Sequence, residues 1–300
     1  MSQQPATDPS GDPLRVICVA YNPGDELRAF ASSLARATTR AYELVIVDNG
    51  ERTDAVVDLE ASGAARVERH RDGNVGYGRA ANAGAAGLKA SWLVVANPDV
   101  VWEPGALDLL VEAGEADPTA GSLGPRVLNP DGTTYPSARA LPSLAAGAGH
   151  ALLHAVWPGN PWTRAYRQAQ EAITATEPHA AGWLSGACLL LRRAAFEQVG
   201  GFDERYFMFF EDVDLGDRLG QAGWRNVYVP AARVTHLQGV SWKHSPAPMI
   251  RAHHASAKRY LFDRWGAWWQ APVRWAIGVG LAVRERVEVA LSERERRPAR

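Results

Sequence analysis

Three carboxylates fall close together in Glu211-Asp212-Val213-Asp214-Leu215, directly behind the apolar run Tyr206-Phe207-Met208-Phe209-Phe210. Anions favour the positive N-terminal end of a helix, so a solvated helix start would place acids there with no further purpose. The apolar lead-in points elsewhere. A carboxylate held against apolar surface has its charged form disfavoured, its pKa rises, and it becomes a usable general base near neutral pH. Asn97-Pro98-Asp99 and His236 form a second group. An oxygen donor and an imidazole together suit Mg2+ or Mn2+ bridging to a substrate diphosphate better than a closed structural zinc site, provided that folding brings them together. Taken singly, an Asp after a strand caps a helix as readily as it binds a ligand, and a lone His is usually structural.

Two other patterns are decoys. Gly76-Tyr77-Gly78-Arg79-Ala80-Ala81 matches a loose dinucleotide fingerprint, with Asp99 near the position of a ribose-binding acid. Its context is wrong, because Ala65–Asp72 does not read as a buried first strand and two strand–helix units already precede it. His150 and His154 have the spacing of a zinc protease pair, but Ala151 stands where the catalytic Glu would be. Both read as helix-surface residues.

The elements that must position these groups follow from periodicity. Arg15–Ala20 and Glu43–Val47 are short apolar strands, each ending in a turn cluster, Tyr21-Asn22-Pro23-Gly24 and Asp48-Asn49-Gly50. Between them Leu27, Phe30, Ala31 and Leu34 form a helical stripe, with Asp25 and Glu26 at its start. A small-residue helix over Arg79–Lys89 and a strand over Trp92–Ala96 repeat the pattern. Successive strand–turn–helix units predict an α/β fold with a parallel sheet, in which ligands bind beyond the carboxyl ends of the strands. Tyr21, Asp48 and Asp99 all fall there. Gly121–Pro178 has weak periodicity and reads as a loop-and-helix insertion over the sheet. Order returns at Trp183–Arg193, in a helix through Leu215 and Leu219 that ends near Gly223, and in a last strand over Asn226–Val229.

These segments, taken in order, resemble the family 2 inverting glycosyltransferases of the GT-A fold, on their rhamnosyltransferase-like branch. The matching pieces are Tyr21-Asn22, Asp48-Asn49-Gly50, Asn74-Val75-Gly76-Tyr77-Gly78-Arg79-Ala80-Ala81-Asn82, Asn97-Pro98-Asp99, Ser185-Gly186, Gly200-Gly201-Phe202-Asp203-Glu204, Phe210-Glu211-Asp212-Val213-Asp214 and His236-Leu237-Gln238-Gly239-Val240-Ser241. The resemblance implies transfer of L-rhamnose from dTDP-L-rhamnose to a lipid-linked GlcNAc-diphospho-polyprenol. It implies that Tyr21 and Asp48 hold the nucleotide, with Asp48 accepting from the pyrimidine N3–H, and that Asn74, Arg79 and Asn82 line the donor sugar and phosphates. Asp99 would be the last position of the D-x-D metal motif and His236 would complete that site. Asp212, with Glu211 beside it, would be the base that takes the acceptor proton. One departure stands out: Asn97 occupies the first D-x-D position, so the metal should bind weakly alone and better with the diphosphate. A glucosyl- or galactofuranosyltransferase, or a glycan-binding module without chemistry, are the competing readings. A nicotinamide oxidoreductase rests only on the glycine decoy.

Composition is ordinary for a globular chain: 300 residues, 46% hydrophobic, net charge −1. That excludes a disordered or disulfide-stapled protein and offers no basic surface for nucleic acid. Cys18 and Cys188 sit in apolar settings and read as reduced core residues. Met1–Pro13 has neither basic nor apolar character and reads as a leader outside the fold, with a catalytic domain over residues 14–245 and a helical extension over 246–300. The net charge is uneven, since Arg251–Arg300 carries 11 Lys or Arg against 5 Asp or Glu, and five of the 11 Trp lie between Trp242 and Trp275. A basic, Trp-rich extension predicts an anionic membrane surface as a partner. The expectation is a cytoplasmic enzyme, peripheral on the inner face of the plasma membrane. Packing of that extension on the domain or in a homo-oligomer is the competing reading.

Overall fold

The computed structural model describes residues 13–51, 53–70, 73–142, 175–237 and 246–295. Its organising strand is β1 (Leu14–Ala20), which buries both faces: Val16, Cys18 and Ala20 point into one core, Ile17 and Val19 into another. A strand buried on both sides needs helices above and below it. In chain order there follow α1 (Asp25–Ala37), β2 (Tyr42–Asp48), α2 (Asp54–Ala61), β3 (Arg66–Arg69), α3 (Tyr77–Gly84), β4 (Trp92–Ala96), β5 (Val100–Trp102), α4 (Ala106–Ala116) and β6 (Ala120–Leu128). Four short strands come next: β7 (Thr134–Tyr135), β8 (Ala138–Arg139), β9 (His179–Ala181) and β10 (Trp183–Leu184). Then come β11 (Cys188–Arg192), α5 (Arg193–Gln198), α6 (Glu211–Gln221), β12 (Arg225–His236), α7 (Pro246–Arg264), a 3-10 turn (Trp268–Gln270) and α8 (Ala271–Glu295).

The main sheet runs β3-β2-β1-β4-β11-β6-β12-β5. Its first four strands are parallel, and β11 enters antiparallel between β4 and β6. Helices α1 and α4 cover one face through Leu27, Phe30, Leu34, Leu107 and Leu110; α3, α5 and α6 cover the other through Ala80, Ala81, Phe196, Leu215 and Leu219. The expected stripe of α1 is therefore its buried side, with Phe30 edge-on to Trp102 at 6.4 Å. Both cysteines are free and buried, and burial pushes both thiols up.

The structure corrects the sequence reading in several places. Ala120–Leu128, expected to be loop, is a nine-residue strand between β11 and β12. Its small residues are packing requirements: a Cβ on Gly121 would meet the Trp224 Cβ at 2.6 Å. In keeping with the reading of Ala65–Asp72, Arg66–Arg69 is no buried first strand but a partly exposed strand at the sheet edge. The last strand extends from Arg225 to His236, far beyond Asn226–Val229. The helix expected over Arg79–Lys89 starts earlier and ends at Gly84. His150 and His154 lie outside the described residues.

The C-terminal helices are packed on the catalytic unit. The Tyr260 hydroxyl donates to Asp217 Oδ2 on α6 at 2.9 Å, Arg264 pairs with the same carboxylate, and the Ser256 hydroxyl donates to the Met208 carbonyl at 2.8 Å. Helix α8 folds back along α7, and their junction leaves Trp268, Trp269 and Trp275 exposed by 85%, 64% and 73%.

Candidate active site

The carboxyl ends of β1, β2 and β4 form one edge of the site. Tyr21 follows β1 and is half-exposed. Asn22 adopts a left-handed φ of 47°, and its Oδ1 accepts the Glu51 N–H at 2.6 Å, tying the β1 and β2 turns together. Asp48 ends β2 with its side chain fully buried. Arg69 lies across its Oδ2 (Nη2 2.7 Å, Nε 3.1 Å), and Oδ1 takes the Gly50 N–H at 3.2 Å. A base N–H reaching Asp48 must share Oδ1 or displace Arg69. Neither Asp48 nor Asp99 caps a helix; those positions belong to Thr53 and Gly105.

The glycine motif opens α3, as its residues suggested, but its anion site is filled by protein. Gly76 has φ +89°, and a Cβ there would meet the Phe207 carbonyl oxygen at 2.3 Å. That same oxygen accepts the Tyr77 N–H at 2.9 Å, so no dinucleotide phosphate can sit on this helix end. Asn74 Oδ1 takes the Gly76 N–H at 3.0 Å, and Asn49 donates to the Gly76 carbonyl at 3.1 Å. Arg79 is exposed, 3.6 Å from Glu204. The Asn82 amide is engaged on both sides by the backbone of Phe202 (2.8 and 2.9 Å), which anchors the Gly200–Glu204 loop.

Asp99 and His236, 137 positions apart in sequence, converge. The His236 Nε2 lies 3.1 Å from Asp99 Oδ1 and 3.3 Å from the Asn97 amide, and the Leu237 N–H donates to the Asp99 carbonyl. The His236 Nδ1 is buried without a hydrogen-bond partner among the described residues, so the nitrogen that faces Asp99 and Asn97 and is placed to share a ligand with them is Nε2. One carboxylate, one imidazole and one neutral amide fit a divalent cation that takes its remaining donors from a ligand. Among the described residues no cluster of three His, Cys, Asp or Glu could hold a metal unaided.

The acid group sits at the start of α6, entered through two successive left-handed residues, Phe209 (φ 65°) and Phe210 (φ 64°). Such strain persists only where surroundings enforce it. Both rings lie 5.5 Å from His253 of α7. Asp214 is already paired with Arg218 one turn on, at 2.7 Å. The other two carboxyls differ sharply. Glu211 is buried, its Oε2 has no hydrogen-bond partner among the described residues, and burial together with the Asp212 charge pushes its pKa up to about 8. Burial raises Asp212 too, but its Oδ2 accepts the Gly186 N–H at 2.9 Å and its Oδ1 the Val213 N–H at 2.8 Å. Those bonds favour the ionised form, so a single proton shared by the pair resides on Glu211. The Tyr77 hydroxyl donates to the Gly186 carbonyl at 2.6 Å, and burial holds that phenol far above its usual range and hence protonated.

Arg69, Asn49 and Tyr77 escaped the sequence reading. Tyr77 lies inside a motif in which only Asn74, Arg79 and Asn82 were given roles, and Arg69 inside Ala65–Asp72, which was weighed only as a buried first strand.

A family model described as glycosyltransferase like family 2 matches residues 12–254. The N-acetylglucosaminyl-diphospho-decaprenol L-rhamnosyltransferase of Mycobacterium tuberculosis is 48% identical over 298 residues, covering 95% of this chain and 96% of the relative. The O-antigen biosynthesis protein RfbC of Myxococcus xanthus is 30% identical over 233 residues, covering 75% of this chain and 17% of that protein. In fold, the chain is similar to GalNAc-T7 solved with UDP, GalNAc and Mn2+ (TM-score 0.54, 18% identity, 75% of this chain and 44% of that one). It is likewise similar to the mannosyltransferase PcManGT of Pyrobaculum calidifontis solved with GDP-Man and Mn2+ (TM-score 0.53, 17% identity, 82% and 64%).

Proposed function

Because the chain belongs to the glycosyltransferase family 2, we propose that it transfers L-rhamnose from dTDP-L-rhamnose to a GlcNAc-diphospho-polyprenol with inversion at C1. The near full-length identity to the mycobacterial rhamnosyltransferase supports the sugar and acceptor class. The observation that carries the chemistry is the asymmetry of the acid pair, in which Asp212 accepts the Gly186 and Val213 N–H groups while Glu211 Oε2 has no hydrogen-bond partner among the described residues. Asp212 takes the proton of the acceptor hydroxyl while the hydroxyl oxygen attacks C1 of rhamnose. The bond from C1 to the phosphate oxygen breaks, and the nucleoside diphosphate leaves from the opposite face. Tyr21 and Asp48 bear on the nucleotide; Asn74 and Arg79 bear on the sugar and phosphates. Asp99 and His236, with the Asn97 amide, would hold Mg2+ or Mn2+, which when bound supplies the positive charge that stabilises the departing diphosphate.

The lipid end of such an acceptor brings the enzyme to a membrane. No described helix is long and apolar enough to cross one. From Trp265 to Val283 the single charged residue is Arg274, and it turns inward to the Trp265 and Ala267 carbonyls at 2.5 and 2.7 Å. The exposed side of this tip therefore presents Trp268, Trp269, Val273, Trp275, Val279 and Val283, with the exposed Arg284 and Arg286 just beyond. An apolar, Trp-bearing tip suits a lipid interface.

The deciding experiment is a donor panel of dTDP-L-rhamnose, UDP-glucose and UDP-galactofuranose against a synthetic GlcNAc-diphospho-lipid. We expect transfer from dTDP-L-rhamnose alone, abolished by EDTA. Transfer from a UDP-sugar instead would replace the donor assignment, and donor binding without transfer would leave a glycan-binding module.

A further inference from the structure

We propose that Arg139 binds a phosphate of the acceptor's diphosphate and so selects diphosphate-linked over neutral sugar acceptors, an inference that rests on the inverting transfer above. Arg139 lies on β8, opposite Trp183 of β10, with its guanidinium carbon 5.4 Å from the Trp183 ring centre and 5.6 Å from that of Tyr135. Its Nε donates to the Pro136 carbonyl at 2.7 Å, and its own carbonyl accepts the Gly182 N–H at 2.9 Å. Two aromatic faces and one hydrogen bond thus fix the plane of the head group.

Among the described residues the fork of this arginine is unspent, while its plane is held by two aromatic rings. Several other arginines spend terminal nitrogens on protein: Arg192 on the Gly114 and Asp117 carbonyls, Arg218 on the Val199 carbonyl, Arg264 on Asp217. Among the described residues nothing accepts from the terminal nitrogens of Arg139, and no carboxylate stands within ion-pair distance of it. A rigid, unpaired guanidinium is suited to a planar two-point grip on phosphate.

Its place in the site identifies which phosphate. The strand opposite β8 continues from Trp183 and Leu184 into Ser185-Gly186, and the Gly186 N–H holds Asp212. Arg139 is also the cation whose charge acts on the Asp212 carboxylate. Inversion puts base and leaving group on opposite faces of C1, so a cation beside the base stands on the acceptor's side. With the acceptor hydroxyl at Asp212, the diphosphate on the same sugar lies one ring away.

The test compares wild type with Arg139→Gln and Arg139→Lys on GlcNAc-diphospho-farnesyl and on a neutral octyl GlcNAc glycoside. For Arg139→Gln we expect KM for the diphosphate acceptor to rise about 10- to 100-fold, while KM for the neutral acceptor and for the donor stays within about twofold. Arg139→Lys should recover part of the loss, since it keeps charge without the planar fork. A rise in donor KM instead would assign the donor's phosphates. Equal loss of kcat on both acceptors, with a shifted pH profile, would reduce Arg139 to a tuner of Asp212. Either result overturns the proposal, as does no change. Binding of farnesyl diphosphate in the presence of saturating dTDP and Mg2+ needs no transfer. If wild type fails to transfer rhamnose yet binds this probe at least tenfold more tightly than Arg139→Gln, the donor reading fails and the Arg139 site stands.

Discussion

Replacing Asp212 by Asn tests the division of labour in the acid pair, because the substitution keeps shape and removes basicity. The loss has two separable parts. Loss of general-base catalysis lowers kcat by about 10²- to 10⁴-fold, or about 3–5 kcal/mol of barrier. Asp212 also accepts two backbone N–H groups, from Gly186 and Val213, whereas an Asn offers one oxygen and must turn its NH2 toward the other donor. That mismatch costs about 1–3 kcal/mol of stability, read separately as a fall in Tm. Glu211→Gln is the control. With a pKa of about 8, Glu211 is mostly protonated at pH 7, so a neutral amide there should keep kcat within about tenfold. The assay is single-turnover transfer from dTDP-L-rhamnose, with the acceptor saturating, across pH 5.5–9. In wild type the rate should rise with pH as Asp212 loses its proton, and that limb should vanish in Asp212→Asn. If Asp212→Asn stays within tenfold of wild type while Glu211→Gln collapses, the proton has been placed on the wrong carboxyl.

Three further outcomes follow from the same geometry. Asp99→Asn should lower transfer about 100-fold or more, whereas Asn97→Asp, restoring a charged donor beside His236, should tighten Mn2+ binding without nucleotide; calorimetry that finds no tightening would remove Asn97 from the metal site. The raised pKa of Glu211 means that the folded chain holds a proton the unfolded chain has lost between about pH 4.5 and 8, so its contribution to stability is full below that window and lost as pH rises through about 8. The Tm of Glu211→Gln should therefore gain on wild type from pH 5 to pH 9, and a pH-independent difference would contradict a proton held by burial on this carboxyl. Replacing Trp268, Trp269 and Trp275 together by Ala should weaken partition onto anionic vesicles at least about tenfold and leave transfer to a short-chain acceptor unchanged. Unaltered vesicle binding with a halved hydrodynamic mass would assign the tip to a homo-oligomer.

How much was legible in advance depended on how local the signal was. The strands β1, β2 and β4 and the stripe of α1 follow from runs of apolar residues, and the turns after those strands mark the ligand edge. Strand β6 was hidden because Gly121, Gly124 and Pro125 lower strand propensity, and their reason, close contact with Trp224 and Leu184, lies more than 55 residues away. The meeting of Asp99 with His236 likewise required knowing that β12 runs on to His236 and pairs with β5. The grip of the Asn82 amide on the Phe202 backbone, 120 residues on, also had no signal in its motif neighbours. A motif preserves a residue's identity without saying whether its task is contact or support.

The charge split near residue 250 acquires a second meaning from the packing. Had the basic extension been only a tether, it could lie anywhere on the surface. Instead α7 holds the strained turn ahead of Glu211 and Asp212: the Ser256 hydroxyl donates to the Met208 carbonyl, His253 packs edge-on against Phe209 and Phe210, and the Tyr260 hydroxyl donates to Asp217, which Arg264 neutralises, on the same helix as the acids. Two non-glycine residues in left-handed conformation cost about 1–2 kcal/mol each, and these contacts are what offset that cost. Removing Arg251–Arg300 would therefore release the acid pair as well as the membrane tip, and a loss of activity would not distinguish tethering from support. Substitutions confined to the 3-10 turn and α8 separate the two, since among the described residues no hydrogen bond or ion pair joins these elements to the turn at Phe207–Phe210.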